Sequence, residues 1–301
     1  MPQVSANGIS IEYESFGSTS SPAILLVMGL GMQLTVWPEP FCRELSSKGY
    51  HVIRYDNRDT GLSTKFDEAK APSIPWLAFK GLVGLPIHLP YTLRDMADDA
   101  IGLLDALDID AAHLVGASMG GMIAQNVSAS YSQRVRSLTS LMSTTGKRSL
   151  PGADRQVSRH LFLARPKNGN RDAVIAHSMR TIELLGSPGY PVDEESRREL
   201  ASMSFDRCYY PAGVSRHIAA IIHDGDRRER LGKISSPTLV IHGREDPLIP
   251  LAGGIDTAKH IAGARLEIIE GMGHNLPEAL WPVLAEMIAG HAGHAGQADG
   301  N

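Results

Sequence analysis

Residues 111–127 read AAHLVGASMGGMIAQNV, and this stretch decides the fold. An apolar run from Ala111 to Val115 leads directly into a G-x-S-x-G pentad centred on Ser118, and a helix-like run follows from Gly121 to Val127. A strand that turns sharply into a helix holds the central serine in a strained conformation with its hydroxyl projecting, and only small residues two positions to either side avoid a clash. Ser118 is therefore the candidate nucleophile, and the flanking strand and helix support it more than the bare pentad does.

Short β-rich runs alternate with amphipathic helical stretches up to about residue 144 and again from Pro237. This alternation is typical of an α/β fold with a mostly parallel, doubly wound sheet. The predicted strands are Ile9–Glu14, Ala23–Val27, His51–Tyr55, Ala111–Val115, Arg136–Leu141, Thr238–Ile241 and Arg265–Ile269. A helix is predicted to begin after Thr92, with Asp95 as its capping partner.

Residues 145–232 contain helical stretches separated by Pro/Gly breaks but no strand-like run, which predicts an inserted helical cap. We therefore expect a core made of residues 1–144 and 233–290, a cap of residues 145–232 and a flexible tail of residues 291–301. The tail is assigned as flexible because it is small and polar.

The composition excludes several functional classes. With 301 residues, of which 43% are hydrophobic, the chain can bury a sizeable core. A net charge of -4 gives no long-range attraction for nucleic acid or an anionic membrane. Cys42 and Cys208 are far apart and form no metal-binding pattern, and the chain has neither a signal-peptide pattern nor an apolar run of about 20 residues. We expect a cytoplasmic protein that binds a small molecule. The sequence leaves the oligomeric state open.

A serine nucleophile needs a base within hydrogen-bond reach and an acid that orients the base. His274 follows the last predicted strand in Gly271-Met272-Gly273-His274, and Asp246 follows another strand in Gly243-Arg244-Glu245-Asp246-Pro247. The order Ser118, Asp246, His274 is the one that accompanies a nucleophile elbow. Taken singly, the aspartate before proline could be a turn residue, and the histidine could be an ordinary loop residue. Glu245 is the rival acid.

The acids before Ser118 are interpreted as helix-surface or turn residues, and they are Asp98, Asp99, Asp108 and Asp110.

Acyl transfer also needs donors for an oxyanion. The Met119 amide, directly after the nucleophile, is the first candidate, and the Leu30 amide in Met28-Gly29-Leu30-Gly31 is the second, with Gly29 as the alternative.

The same glycines could be mistaken for a dinucleotide fingerprint with Asp56 as the ribose-binding acid. The third glycine is missing, however, because position 34 is Leu. The mechanism requires neither a metal nor an organic cofactor.

The chain resembles the α/β-hydrolase family in five segments: Met28 to Gly31, Asp56 to Ser63, Gly116 to Gly120, Gly243 to Pro247, and Gly273-His274. Within that family, Val27 to Gly29 and Arg54 to Gly61 look most like the small serine esterases typified by aclacinomycin methylesterase. Met28 stands where many relatives have histidine, which removes a polar support for the oxyanion turn. The segment Asp56 to Ser63 is interpreted as scaffold, with Arg58 or Asp59 pairing to fix a strand-end loop.

The resemblance implies serine-dependent hydrolysis of a carboxylic ester through an acyl-enzyme. Acyltransferases, cofactor-free haloperoxidases and C–C hydrolases share the serine, and a non-catalytic binding protein on the same fold is the competing class. The loop Ala71–Pro90 is predicted to line an entrance. Apolar residues of the cap could shape a pocket, although packing is the simpler reading for them: Phe162, Met179, Leu184, Met203, Tyr209 and Tyr210.

Overall fold

The structure, a computed structural model, describes residues 2–70, 89–163 and 169–298. The predicted entrance loop falls outside these residues except for its last two positions, and so does the side chain of Phe162.

The described residues form one eight-stranded sheet. In chain order its strands are β1 (Gln3–Ala6), β2 (Ile9–Phe16), β3 (Ala23–Val27), β4 (His51–Tyr55), β5 (Ala112–Ala117), β6 (Val135–Leu141), β7 (Thr238–Gly243) and β8 (Arg265–Ile269). The spatial order is β1-β2-β4-β3-β5-β6-β7-β8. β1 and β2 pair antiparallel with each other, and β2 pairs antiparallel with β4. The other neighbours are parallel, so β3 to β8 all end at the same edge of the sheet.

Helices cover both faces of this sheet. They are α1 (Glu39–Ser47), α2 (Leu93–Ala106), α3 (Met119–Ser130), α4 (Arg155–Leu163), α5 (Arg171–Leu185), α6 (Glu194–Arg207), α7 (Pro211–Asp224), α8 (Arg228–Leu231), α9 (Ala252–His260) and α10 (Trp281–Ala298). Apolar residues of α1 and α10 form the core on one face, and those of α2 and α3 form the core on the other. The predicted doubly wound α/β class is therefore confirmed.

The central strand β3 is continuously apolar because both faces of the sheet are covered there. Ile24 and Leu26 pack into the core that includes α1 and α10, whereas Leu25 and Val27 pack into the core that includes α2 and α3. All four are fully buried. Successive side chains of a strand point to opposite faces, so a strand covered on both faces needs apolar residues at every position.

The capping signal at Thr92 is confirmed. The Asp95 amide donates to the Thr92 hydroxyl, and the Asp95 carboxylate accepts the Thr92 amide at 2.7 Å. These reciprocal hydrogen bonds satisfy donors that the first turn of a helix otherwise leaves unpaired. α2 then packs its periodic apolar residues, among them Met96, Leu103 and Leu104, against the sheet.

Two parts of the chain differ from the sequence expectations. β1 was not predicted, because its four residues are mixed in polarity, and it forms by pairing with β2. The tail from His291 onwards was expected to be flexible, but α10 continues to Ala298. Ala292 and Ala295 are buried there, so contacts with the core extend the helix through a stretch whose glycines weaken the local signal.

Between β6 and β7 the described residues form the helices α4 to α8, connecting turns and one isolated antiparallel β-bridge between Ser187 and Tyr190. We call α4 to α8 the helical insertion; the cap boundaries at 145 and 232 stay a prediction. Two ion pairs join it to the core: Arg207 with Asp56 at 2.8 Å and Arg216 with Asp59 at 2.6 Å. Both carboxylates are fully buried, so each needs its arginine as a partner.

His217 of α7 adds a neutral link between the helical insertion and the core. Its Nε2 donates to the Arg58 carbonyl at 2.8 Å, which leaves Nδ1 to accept the Gly31 amide at 3.2 Å. The ring is completely buried, and burial lowers its pKa from 6.5 to about 4. A protonated ring could not accept from Gly31, so this contact requires the neutral form.

The turn from β5 into α3 is held by backbone packing. Ser118 has φ 57° and ψ −119°, a conformation that side-chain-bearing residues rarely adopt. A Cβ at Gly116 would lie 2.2 Å from the Gly120 carbonyl oxygen, and a Cβ at Gly120 would lie 2.0 Å from the Val27 carbonyl oxygen. Both positions therefore exclude any side chain, as the sequence predicted.

Replacing Gly120 by Ala should destabilise the protein. The new methyl group collides with backbone of β3 rather than with a movable side chain, and we expect a loss of about 1–3 kcal/mol or more. Gly290→Ala is the matched control, because Gly290 also lies in a helix but has nothing within 4 Å of an added Cβ. We expect that control to gain about 0.5–1 kcal/mol. Urea unfolding of both variants measures the difference, and equal stabilities would contradict the packing argument.

The stability of the protein should depend on pH through His217. The unfolded chain binds a proton near pH 6.5, whereas the folded state resists protonation down to about pH 4. In that interval the unfolded state binds more protons, so the free energy of unfolding falls as pH falls. His217→Gln removes this titration. In the variant, the slope of the free energy of unfolding against pH should be lower by the equivalent of up to one proton, about 1.4 kcal/mol per pH unit. Denaturant unfolding from pH 4.5 to 7 tests this; parallel curves for the two proteins would contradict it.

Candidate active site

Three strand ends bring the predicted triad together. Ser118 directly follows β5, Asp246 lies three residues after β7, and His274 lies five residues after β8. These strands are parallel, so their carboxyl ends meet at one edge of the sheet. Ligands bind at this edge in open α/β sheets.

The three side chains form a continuous hydrogen-bonded chain. His274 Nδ1 lies 2.7 Å from Asp246 Oδ2, and His274 Nε2 lies 3.0 Å from Ser118 Oγ. A carboxylate can only accept, so Nδ1 carries the proton and Nε2 of the neutral ring accepts the serine hydroxyl. The Asp246 side chain is fully buried, and that of His274 is 7% exposed. This is the arrangement in which a histidine can remove the serine proton.

The turn after β7 fixes the Asp246 carboxylate. Oδ1 accepts the amides of Leu248 and Ile249 at 2.9 and 2.8 Å, which leaves Oδ2 for His274. The buried ring of His242 donates from Nε2 to the Ile249 carbonyl at 2.8 Å and so holds the same turn. Burial lowers the pKa of His242, so its ring stays neutral beside the triad.

Glu245, the rival acid, is exposed to solvent. Its backbone amide donates to the Met272 carbonyl, whereas Asp246 makes the hydrogen bond to His274. The acid beside His274 is thus Asp246, which the sequence favoured over Glu245.

The nucleophile turn is held by its neighbours on the sheet. The Ser118 amide donates to the Leu141 carbonyl at 2.9 Å, and the Ser143 hydroxyl donates to the Ser118 carbonyl at 2.8 Å. Both partners come from the end of β6 and the residues after it. The serine is partly exposed, so its hydroxyl remains reachable.

The turn after β3 lies directly against the nucleophile. A Cβ at Gly29 would be 3.1 Å from Ser118 Cβ and 3.6 Å from Ser118 Oγ. The Asn57 side-chain amide donates to the Met28 carbonyl at 2.9 Å, and His217 accepts the Gly31 amide. These two contacts support the turn. Sequence reasoning missed both. Asn57 lies in the segment Asp56 to Ser63, in which only Arg58 and Asp59 are given a structural role, and His217 is distant in sequence and belongs to no local pattern.

The segment Asp56 to Ser63 is scaffold. Asp56 accepts the amides of Leu34 and Leu62 at 2.7 and 2.9 Å in addition to its pairing with Arg207. This carboxylate is therefore committed inside the protein, which excludes a ribose-binding role. Arg58 pairs with Asp99 at 2.6 Å. Both Arg58 and Asp59 thus hold a strand-end loop, as predicted.

The proposed pocket residues of the insertion divide by exposure. Met203 and Tyr209 are 45% and 38% exposed, so neither is packed into a core. Met179, Leu184 and Tyr210 are partly buried. The Tyr210 hydroxyl donates to Asp67 and accepts from Arg216, which gives it a structural role. These contacts within the protein explain the position of the Tyr210 side chain better than a substrate contact does.

Residues 2–70, 89–163 and 169–298 contain no cluster of three or more His, Cys, Asp or Glu side chains able to hold a metal ion. Both cysteines are free, and burial raises the pKa of the Cys42 thiol to about 12. None of the described helices is long and apolar enough to cross a bilayer.

Known proteins resemble this chain in sequence and in fold. Rhodomycin D methylesterase DauP of Streptomyces sp. (strain C5) is 28% identical, and the match covers 96% of each chain. 3-Oxoadipate enol-lactonase 2 of Acinetobacter baylyi is 27% identical over 89% of this chain and 87% of its own. The solved meta-cleavage product hydrolase of Pseudomonas fluorescens IP01 is 20% identical with a TM-score of 0.75 and covers 98% of each chain, which establishes a shared fold.

The predicted resemblance to small methylesterases is confirmed by the first of these relatives. The model of the alpha/beta hydrolase fold family matches residues 22–278, which include the nucleophile turn and the loops that carry Asp246 and His274. The chain therefore belongs to the α/β-hydrolase fold family.

Proposed function

We propose that this protein hydrolyses a carboxylic ester through an acyl-enzyme formed on Ser118. The observation that carries the proposal is the hydrogen-bonded chain Ser118–His274–Asp246 at the carboxyl edge of the sheet. The similarity to a methylesterase and to an enol-lactonase, which both act on carboxylic esters, supports the enzyme class. No metal or organic cofactor takes part in this mechanism.

The steps of the reaction follow from the roles of the two His274 nitrogens, with Nδ1 donating to Asp246 and Nε2 accepting from Ser118. The Ser118 oxygen attacks the ester carbonyl while its proton passes to His274 Nε2, and the imidazolium is stabilised by Asp246. His274 then gives this proton to the departing alcohol, which breaks the C–O bond and leaves the acyl group on Ser118. Water then loses a proton to the same nitrogen as its oxygen attacks the acyl carbonyl. The bond between the acyl carbon and Ser118 Oγ breaks, His274 returns the proton to the Ser118 oxygen, and the acid is released.

The tetrahedral intermediates need donors for their oxyanion. Met119 begins α3, and the first amides of a helix have no partner within the helix. The Leu30 amide belongs to the turn whose Gly29 approaches Ser118. We assign the oxyanion hole to the Met119 and Leu30 amides; removal of one such donor costs about 2.7–4 kcal/mol of barrier in comparable enzymes.

The alternative activities on the same triad receive less support. The meta-cleavage product hydrolase with a similar fold is only 20% identical, so its chemistry does not transfer to this chain. The relatives with sequence similarity over most of the chain include the esterase and the lactonase. A binding protein would not need a histidine within hydrogen-bond distance of both a serine and a carboxylate, so the distances at His274 favour the enzyme over the binding protein.

Replacing Ser118 by Ala should abolish ester hydrolysis without unfolding the protein. We expect kcat for p-nitrophenyl esters of short to long acyl chains to fall on the order of 10³-fold or more, because the nucleophile is lost. Phenylmethylsulfonyl fluoride should add one group to the wild type at Ser118 and none to the variant, as read by intact mass. Hydrolysis retained in the variant would contradict the mechanism. Saturable ester binding by the wild type with neither turnover nor labelling would favour a binding protein.

The two neighbouring acids should respond differently to neutralisation. Asp246→Asn keeps the shape of the side chain but offers an amide in place of the carboxylate that orients His274, and we expect kcat to fall on the order of 10³- to 10⁴-fold. Glu245→Gln is the matched control, because Glu245 is exposed and adjacent in sequence. Its kcat should stay within twofold of the wild type. Equal losses in the two variants would remove Asp246 from its assigned role.

A further inference from the structure

The loop that carries His274 contacts the helical insertion as well as the sheet. The insertion segment that follows α5, residues 185–190, runs along the loop of residues 271–275. The His274 amide donates to the Leu185 carbonyl at 2.8 Å, and the Gly189 amide donates to the Gly271 carbonyl at 2.9 Å. The catalytic base is thus tethered to a part of the chain that lies about 85 residues before it.

Glycines allow this close backbone contact. A Cβ at Gly273 would lie 2.3 Å from the Gly186 carbonyl oxygen, and a Cβ at Gly189 would lie 2.8 Å from Gly271 Cα. The same glycines make the catalytic loop intrinsically permissive in conformation, and Gly271 adopts φ 74°. A loop of this composition needs contacts from outside to hold a histidine in one place.

Ser187 supplies such contacts on both sides of His274 with one hydroxyl group. Its Oγ accepts the Gly273 amide at 2.8 Å and donates to Asn275 Oδ1 at 2.5 Å. Ser187 is 3% exposed, so water does not compete for these bonds. The hydroxyl therefore fixes the residue before the base and the residue after it.

We propose that Ser187 of the helical insertion is a positioning residue that holds His274 in line with Ser118 and Asp246. This inference rests on the proposed function, because it assigns to Ser187 an effect on the base of that reaction. Ser187 acts through the backbone of Gly273 and the side chain of Asn275. The helical insertion then takes part in positioning the base of the proposed reaction.

Ser187 can affect the rate because proton transfer tolerates only small displacements of the base. His274 must keep Nδ1 within 2.7 Å of Asp246 and Nε2 within 3.0 Å of Ser118 at the same time. A displacement of about 1 Å can cost up to about 100-fold in rate. Loss of the Ser187 hydroxyl leaves the buried Gly273 amide without its acceptor and frees Asn275, so the ring samples orientations in which one of the two bonds is broken.

Ser187→Ala tests this proposal in the full-length protein. We expect kcat for a p-nitrophenyl ester to fall about tenfold while KM stays within twofold, because the substrate contacts are unchanged and only the alignment of the base is lost. The rate of Ser118 labelling by phenylmethylsulfonyl fluoride should fall by a similar factor, since labelling also uses His274 as the base. Ser196→Ala is the matched control: its hydroxyl donates to Asp193 at the start of α6, so it reports general loosening of the insertion.

The outcomes are distinct. A kcat of Ser187→Ala within twofold of that of Ser196→Ala overturns the proposal, and so does a rise in KM at unchanged kcat. If Ser187→Ala does not fold, Asn275→Ala decides: it keeps the Gly273 contact and should lower kcat about threefold, and an unchanged kcat overturns the proposal. Ester hydrolysis retained in Ser118→Ala would reject the serine mechanism itself. If hydrolysis is lost in Ser118→Ala but kcat of Ser187→Ala equals that of the wild type, only the role of Ser187 is rejected.

Discussion

The turn from β5 into α3 is the constraint on which the rest of the site depends. Gly116 and Gly120 let three stretches of backbone come within contact distance, and a Cβ at either position would penetrate a carbonyl oxygen. This packing holds Ser118 at a positive φ and places it beside the turn after β3. The proposed acid and base meet this serine because the parallel strands β5, β7 and β8 end at the same edge of the sheet.

The supports of the site come from both the core and the helical insertion. The core fixes Asp246 through the turn after β7 and supports the turn after β3 through Asn57. The insertion contributes His217, which accepts the Gly31 amide. Buried ion pairs from Arg207 and Arg216 attach the insertion to the loop after β4, which also carries Asn57. A buried ion pair adds little net stability but makes any displacement costly, because separation leaves a buried charge unpaired.

Much of the fold and the triad could be predicted because the signals are local. The apolar strands, the Thr92 cap and the small residues around Ser118 each follow from nearest-neighbour geometry. β1 could not be predicted, since four residues of mixed polarity become a strand only when β2 is beside them. The helix beyond His291 was missed for the same reason: its alanines are stabilised by core contacts that the local sequence does not show.

The sequence by itself determined the class of the sheet, the serine, and the order of acid and base along the chain, because strand periodicity and turn sterics act over a few residues. Tertiary structure alone decided that Asn57 and His217 support the turn after β3 and that Ser187 contacts both neighbours of His274. These contacts join residues from 29 to 186 positions apart. Side-chain direction and loop approach at such separations are set by how the elements pack, and no local pattern encodes them.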